Sequence, residues 1–374
     1  VPEPAVGPEE VLRARLRSHR VHGPDLADLP SAVGHFLAVQ GQELRPALWG
    51  LSRRIAPGGP RGASAATASL DAGEVLRTHV LRPTWHLVRP DDARWLVELT
   101  APRVRRQMAS TERAWGIADP GPGMEVVAAE VAAGPRTRAE LRAALVERRL
   151  VADDAPGIHV TQVLMHAELE RLVVSGPTIG GRQTYAAFDD RAGPGYGPLG
   201  ERFDAEAAVV ELWRRYLPAR AYATVKDVQQ WCTLTLGDLR RGLQVLLDAG
   251  EAVEVPGTGA LEGLTFYAPA KAADRDVDAD AWEPPPGGPE VQLLQAYDEL
   301  FASYRQSRDV VLEPGSAPPD RGGAYVHCVA GRWRWPAAGA AAVGLDVQWS
   351  REPTSAERRA LDLAAADLAD HLAT

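Results

Sequence analysis

Long apolar runs, cysteines and lysines are all scarce in this 374-residue chain, and each scarcity removes a class of protein. No stretch approaches the roughly 20 apolar residues that span a bilayer, so no membrane partner is expected. The amino terminus VPEPAVGPEE is acidic and proline-rich, the opposite of a secretory leader. The two cysteines, Cys232 and Cys328, lie far apart in no metal-like spacing. Zinc sites and a disulfide framework are therefore disfavoured, and neither a metal nor another cofactor is expected. A reducing cytoplasm is the expected compartment. Lysine occurs only at Lys226 and Lys271, so nearly all of the 41 fixed cations are arginines.

What is present is ordinary for a globular chain: 24% charged and 45% hydrophobic residues, enough for two to four domains. The net charge of −9 argues against a generic nucleic-acid coat, because nonspecific affinity comes from neutralising phosphates. The charge is uneven, however. Through residue 120 the chain holds 16 arginines against 13 acidic residues, so the remainder carries about −12. Arginine is also the better bidentate phosphate ligand. The acidity weakens a nucleic-acid partner without removing it.

Along the chain one order of elements recurs. Thr137 caps a helix with Glu140 three positions on, and Leu141, Leu145 and Val146 follow at helical spacing. A second helix is expected over 159–172, with Val160, Val163, Leu164, Ala167 and Leu172 on one face. VVSGPTIGGRQTYAAF then supplies two β-rich runs around a Gly/Pro-rich tip. Residues 204–269 repeat the order: a helix over 207–217, a short helix capped by Thr224 with Asp227 at N3, and a helix over 234–250. The last ends on Gly250, and EAVEV and LTFYA follow as strands. Helix, turn, helix, β-hairpin is the order of a winged helix. The first hundred residues fit a third copy, with helices over 8–18, 31–39 and 45–54 and a loose connection over 58–69. VLRTHVLR and WHLV are β-rich, and a helix over 90–115 opens on Pro90-Asp91-Asp92. Residues 270–290 are acidic and proline-rich. Beyond them LLQAYDELFASY reads as a helix, AYVHCVAGRWRW and AVGLDVQW as pairing strands, and Thr354 with Glu357 as a second capping box.

The run Gln40-Gly41-Gln42 sits where an apolar helix breaks, with Arg45 and Trp49 close behind. Together with RPALWGLSRR, VLRTHVLRPTWHLVRPDDARWL and YDELFASYRQSRDVVL before Gly331–Trp335, it makes the chain resemble the winged-helix DNA glycosylases of the AlkZ type. The resemblance covers nearly the whole chain. It implies an α+β fold of three tandem winged helices in a C-shape with a small C-terminal β-rich and helical segment. The corresponding boundaries are 1–115, 116–200, 201–272, a linker over 273–290, and 291–374. It implies a monomer acting on double-stranded DNA with alkylated or crosslinked purines, associated with the nucleoid when acting. It further implies release of N7-alkylated guanine and unhooking of azinomycin-type interstrand crosslinks, which gives self-resistance. The family places an aliphatic residue between two Gln, or between Gln and a carboxylate; Gly41 departs from that and loosens the backbone there.

On this reading Gln40 and Gln42 position the attacking water and stabilise the sugar cation. Arg45, Arg53, Arg54, Arg82 and Arg89 are candidates for phosphate contact. Thr84 and His86 share one face of a wing strand, and Arg332 and Arg334 share one face of another. Trp49 and Trp95 fit the core, and Asp298 and Glu299 fit a helix surface or arginine partners. Both lysines fall outside the proposed site, which argues against lyase chemistry. Two other readings stay open: a non-catalytic transcription regulator, since winged helices most often bind specific duplex sites, and a protein that sequesters the drug itself.

Overall fold

The computed structural model describes residues 5–117, 119–193, 195, 197–270, 291–311, 323–326, 329–336, 345 and 347–374. The linker expected over 273–290 lies outside them. In chain order the elements begin with α1 (Pro8–Ser18), α2 (Leu29–Phe36), β1 (Ala38–Gln40), α3 (Leu44–Ser52), α4 (Ala63–Ala72), β2 (Leu76–His79) and β3 (Trp85–Val88). They continue through α5 (Pro90–Trp115), α6 (Gly121–Ala132), β4 (Arg136–Thr137), α7 (Arg138–Glu147), α8 (Gly157–Leu169), β5 (Val173–Ser175), β6 (Thr184–Ala187) and α9 (Phe188–Ala192). Next come α10 (Ala205–Arg220), α11 (Val225–Cys232), α12 (Leu236–Asp248), β7 (Ala252–Pro256) and β8 (Thr265–Pro269). Strands β9 (Val291–Leu294), β10 (Gly323–Val326), β11 (Val329–Trp333) and β12 (Val347–Trp349) and a closing helix, Ser355–Ala373, complete an α+β architecture with small sheets.

The described residues fall into two compact units. Thr67–Ala208 with Cys232–Leu234 form one. In it β5 and β6 make an antiparallel hairpin, and β4, lying between α6 and α7, pairs on the other side of β6. Helix, strand, helix, helix, hairpin is the full winged-helix order. Its core is the apolar stripe of three helices: Val127 and Val131 from α6, Leu141 and Leu145 from α7, and Val160, Val163 and Leu164 from α8. The Thr137–Glu140 capping box forms as its spacing predicts, with both reciprocal bonds present. Leu172, expected on the buried face of α8, lies beyond its end and is 36% exposed. In the same unit β2 and β3 pair with Thr78 opposite His86. Helix α5 begins at Pro90, carries Asp91 and Asp92 in its first turn, and stops at Gly116 in the left-handed conformation.

The other unit comprises Val1–Ala66, Val209–Trp231 and Thr235–Thr374, as far as they are described. Its β7–β8 hairpin follows α12, whose chain turns away at Gly250 with φ of 67°. An isolated bridge from Ala223 to Tyr267 takes the place of the strand that β4 supplies in the other copy. Strands β9 to β12 form a four-stranded sheet in the order β12-β11-β10-β9. Trp49, Val291, Leu293, Trp333, Ala364 and Leu368 pack together around it, which ties α3 and the closing helix to this sheet. Both buried indoles spend their N–H on β9: Trp49 Nε1 donates to the Leu293 carbonyl at 2.7 Å and Trp333 Nε1 to the Leu294 carbonyl at 2.9 Å.

Three further expectations need correction. The helix expected over 31–39 stops at Phe36, because Leu37 takes a positive φ, and Ala38–Gln40 form strand β1. Residues 58–69 are not wholly a connection, because α4 starts at Ala63; its Ala/Ser composition buries only Ala66 and shows no apolar period. LLQAYDELFASY is not one helix. Its start is β9, buried at all four positions, and only Glu299–Ala302 form a helical turn. Continuous burial removes the alternation by which a strand is recognised.

Gly242 of α12 tests this packing. A Cβ there would stand 2.7 Å from Val209 Cγ1 and 3.2 Å from the Val209 backbone carbon. Overpacking of about 1–3 kcal/mol outweighs the roughly 1 kcal/mol helix-propensity gain of alanine. Gly242→Ala should therefore lower the melting temperature in a thermal scan, and a raised one would contradict the packing described.

Candidate active site

The site is built at a break. Helix α2 ends at Leu37, a fully buried leucine with φ of 67° and ψ of −47°, a combination that side-chain-bearing residues avoid. The chain then runs through β1, which Gln40 closes, and Gly41, Gln42 and Glu43 lead into α3. Gln40 is 5% exposed, Gly41 is buried and Gln42 half-buried. Deep seating restricts the rotamers of Gln40.

What seats Gln40 is the segment Asp298–Ser307, about 260 positions away in sequence. The Gln40 backbone N–H donates to Glu299 Oε1 at 2.9 Å. The other oxygen of Glu299 accepts from Arg220 Nη2 (2.8 Å), Trp231 Nε1 (3.0 Å) and Ser303 Oγ (2.6 Å). Burial alone would raise the Glu299 carboxyl. The Arg220 charge and the hydrogen bonds from Ser303 and Gln40 outweigh it, and the group is held below the ordinary carboxylate range. Arg220 is itself fully buried, with ring faces of Tyr216 and Trp231 each 4.5 Å from its guanidinium carbon. Its Nη1 reaches the Phe36 carbonyl at 3.0 Å and its Nη2 the Ala38 carbonyl at 3.4 Å.

The same segment gathers further buried charges. Asp298 Oδ1 accepts from Arg54 Nη2 at 2.6 Å, and Arg54 also donates to the carbonyls of His19 and Gly50. Arg15 lies 3.5 Å over the Tyr304 ring and donates to the Ser307 carbonyl and hydroxyl. Asp227 accepts from the backbone N–H groups of Arg305 and Gln306 and from Ser307 Oγ. Tyr304 donates its hydroxyl proton to the Arg220 carbonyl, so it must accept from His19 Nε2, which fixes the neutral tautomer of that histidine. Burial first, then Arg54, Arg220 and Arg15, holds the His19 pKa well below 6.5. His35 drops to about 4, through burial opposed by its hydrogen bond to the Ser18 carbonyl and reinforced by Arg20, Arg220 and Arg54.

The sequence candidates separate on this geometry. Arg45 and Arg89 are exposed and Arg82 is half-buried; Arg89 lies 3.7 Å from Asp91. Arg332 and Arg334 are exposed on either side of buried Trp333, as strand alternation requires. Arg53 pairs with Asp367 at 2.8 Å across a partly exposed surface. Arg54 is a correction: at 3% exposure its guanidinium is consumed by Asp298 and two carbonyls, so it holds the protein together and reaches no phosphate. Thr84 is half-buried; His86 is 1% exposed and its Nδ1–H donates to the Thr84 carbonyl at 3.0 Å, which makes it a brace of the β2–β3 hairpin rather than a duplex contact. Trp49 and Trp95 are buried, as core residues are. Asp298 and Glu299 are arginine partners, and neither lies on a helix surface. Sequence reasoning missed Arg15, His19 and Arg220 and gave Asp227 only its local place at N3 behind Thr224, which does form; the other partners of all four lie too far along the chain for spacing to reveal.

Among the described residues no cluster of three or more His, Cys, Asp or Glu could hold a metal ion, and no helix is long and apolar enough to cross a membrane. The family model for DNA glycosylase AlkZ-like proteins matches residues 33–371. The chain therefore belongs to the AlkZ-like DNA glycosylases, enzymes that act on DNA. Its fold is similar to that of the DNA glycosylase AlkZ of Streptomyces sahachiroi, with a TM-score of 0.72 at 19% identity over 98% of each chain. No curated protein matches the sequence.

Two outcomes test the buried cluster. Asp298→Ala strands the Arg54 charge and should cost about 3–5 kcal/mol in chemical denaturation; a loss below about 1 kcal/mol would contradict a buried, paired Arg54. The lowered histidines set a pH dependence. Between the folded and ordinary pKa values the unfolded chain binds more protons, so the contribution of both is complete above about pH 6.5 and shrinks as pH falls, the His35 part being lost as pH drops through about 4. The urea midpoint should drop between pH 7 and pH 5, and His35→Gln should flatten part of that drop.

Proposed function

We propose that this enzyme hydrolyses the N-glycosidic bond of N7-alkylated guanine and unhooks interstrand crosslinks of the azinomycin type, protecting the DNA of a cell exposed to such an alkylating agent. The observation that carries it is the placement of Gln40 and Gln42 around the β1–α3 junction of an AlkZ-like chain, with the Gln40 backbone tied to Glu299. Alkylation at N7 gives guanine a positive charge. When the bond from C1′ to N9 breaks, the base takes the electron pair and leaves neutral, so no strong acid is needed to protonate it. Water must then bond to C1′ of an oxocarbenium-like sugar from the opposite face and give up one proton to solvent, as in glycoside hydrolysis.

A carboxamide suits that task. Its carbonyl accepts a hydrogen bond from water and turns its negative end toward the sugar cation, while its NH₂ fixes a neighbour. Gln40 and Gln42 hold the water and the sugar cation. Exposed Arg45, Arg89, Arg332 and Arg334, with half-buried Arg82, supply the contacts to the duplex backbone, and the enzyme works as a monomer through three winged helices over 1–115, 116–200 and 201–272. A guanine tied to the opposite strand cannot be swung out into a deep cavity, so an enzyme of this kind acts on it in place, without flipping the base.

Gln40→Ala and Gln42→Ala should each reduce release of N7-methylguanine from a defined duplex about 100-fold or more, a loss of the size seen when one preorganised donor is removed. The double variant should leave no abasic sites after alkaline cleavage and no unhooked product from a crosslinked duplex, with an unchanged circular dichroism spectrum. Wild-type rates in the double variant would overturn the assignment of the site.

A further inference from the structure

We infer that the buried Arg220–Glu299 pair is the positioning device of the Gln40 carboxamide, an inference that rests on Gln40 acting in the reaction as proposed above. The pair grips the chain at three points within five residues. Arg220 takes the carbonyls of Phe36 and Ala38, one on each side of Leu37 and its unfavourable positive φ. Glu299, bonded to Arg220 at 2.8 Å, takes the N–H of Gln40 at 2.9 Å. A turn that a leucine would leave if free is thereby fixed from both sides, and the strand it launches is fixed at its last residue.

Glu299 is not itself placed to act as a base. It is 2% exposed, one oxygen faces a backbone N–H, and the other has three donors. Nor is a stability role a sufficient account, since apolar residues of similar volume usually serve a core as well as a buried ion pair does. What apolar residues cannot do is hold two carbonyls and one N–H of a strained turn in register. That demand explains why charges are buried behind Gln40 and why a planar guanidinium supplies the donors.

The test uses isosteric Glu299→Gln, whose amide has one oxygen where the carboxylate has two. Its nitrogen must face either the Gln40 N–H or Arg220, both donors, so one of those contacts breaks. Single-turnover release of N7-methylguanine should slow about 10- to 100-fold, the effect of a small misplacement in a reacting geometry, while duplex affinity by fluorescence anisotropy stays within about twofold. Introduced into Gln40→Ala and followed over long incubations, Glu299→Gln should add no further loss, because the group it positions is gone. An unchanged rate for Glu299→Gln, or an equal further loss in the Gln40→Ala background, would overturn the positioning role while leaving the Gln40 assignment intact. Full activity of Gln40→Ala would instead overturn that assignment. Should Glu299→Gln fail to fold, Trp231→Phe keeps an aromatic face beside Arg220 and removes one donor to Glu299. A rate loss of a few fold at unchanged affinity is then expected, and a wild-type rate would again overturn the role.

Discussion

One buried contact, the carboxylate of Glu299 against the guanidinium of Arg220, organises the larger of the two units. Around it α1 contributes Arg15 and His19 just past its end, α3 is followed by Arg54, α10 supplies Tyr216 and Arg220, and α11 supplies Asp227 and Trp231; all converge on the ten residues from Asp298 to Ser307. Charges this deep are costly unless every donor and acceptor finds a partner, and here nearly every one does. Among the described residues of this network, His19 Nδ1 is a buried nitrogen with no hydrogen-bond partner, which is what a histidine kept neutral among arginines should show. Removing any one member strands another, so the network constrains the fold through the penalty for breaking it more than through the gain from forming it.

That constraint explains how much could be read from the chain. Local rules were sufficient where the interaction is local. The capping boxes at Thr137 and Thr354, the start of α5 at Pro90 and the end of α12 at Gly250 follow from residues a few positions apart. The order helix, helix, hairpin was visible for the same reason. The two-residue β4 and the Ala-rich α4 were not, since one is too short to carry a pattern and the other buries a single side chain. The site divides in the same way. Gln40 and Gln42 stand out as amides two positions apart just past a helix break, whereas Arg54 looks like any surface arginine after an apolar helix until Asp298, 244 positions later, is brought to it. Glu299 is 259 positions from the backbone it holds, and only the folded chain puts the two together.

The chemistry proposed for the site fits an unusual allocation of charge. The two buried carboxylates behind Gln40, Asp298 and Glu299, face arginines, and the carboxylate at the junction of β1 and α3, Glu43, is exposed, so among the described residues Gln40 itself has no buried carboxylate free to act as a base. A leaving group that is already cationic asks little of a general acid. The task that remains is geometric, holding a water and an electron-deficient sugar in line, and geometry is what a strained turn clamped by an ion pair can supply.

The most direct measurement is a structure of the enzyme on a duplex carrying a non-hydrolysable N7-alkylguanosine analogue. The account predicts the Gln40 and Gln42 carboxamides within hydrogen-bonding distance of the C1′ face opposite the base, or of a water seated there, with the Glu299 contact to the Gln40 backbone retained. Carboxamides turned away from the sugar, with another side chain holding that water, would contradict it.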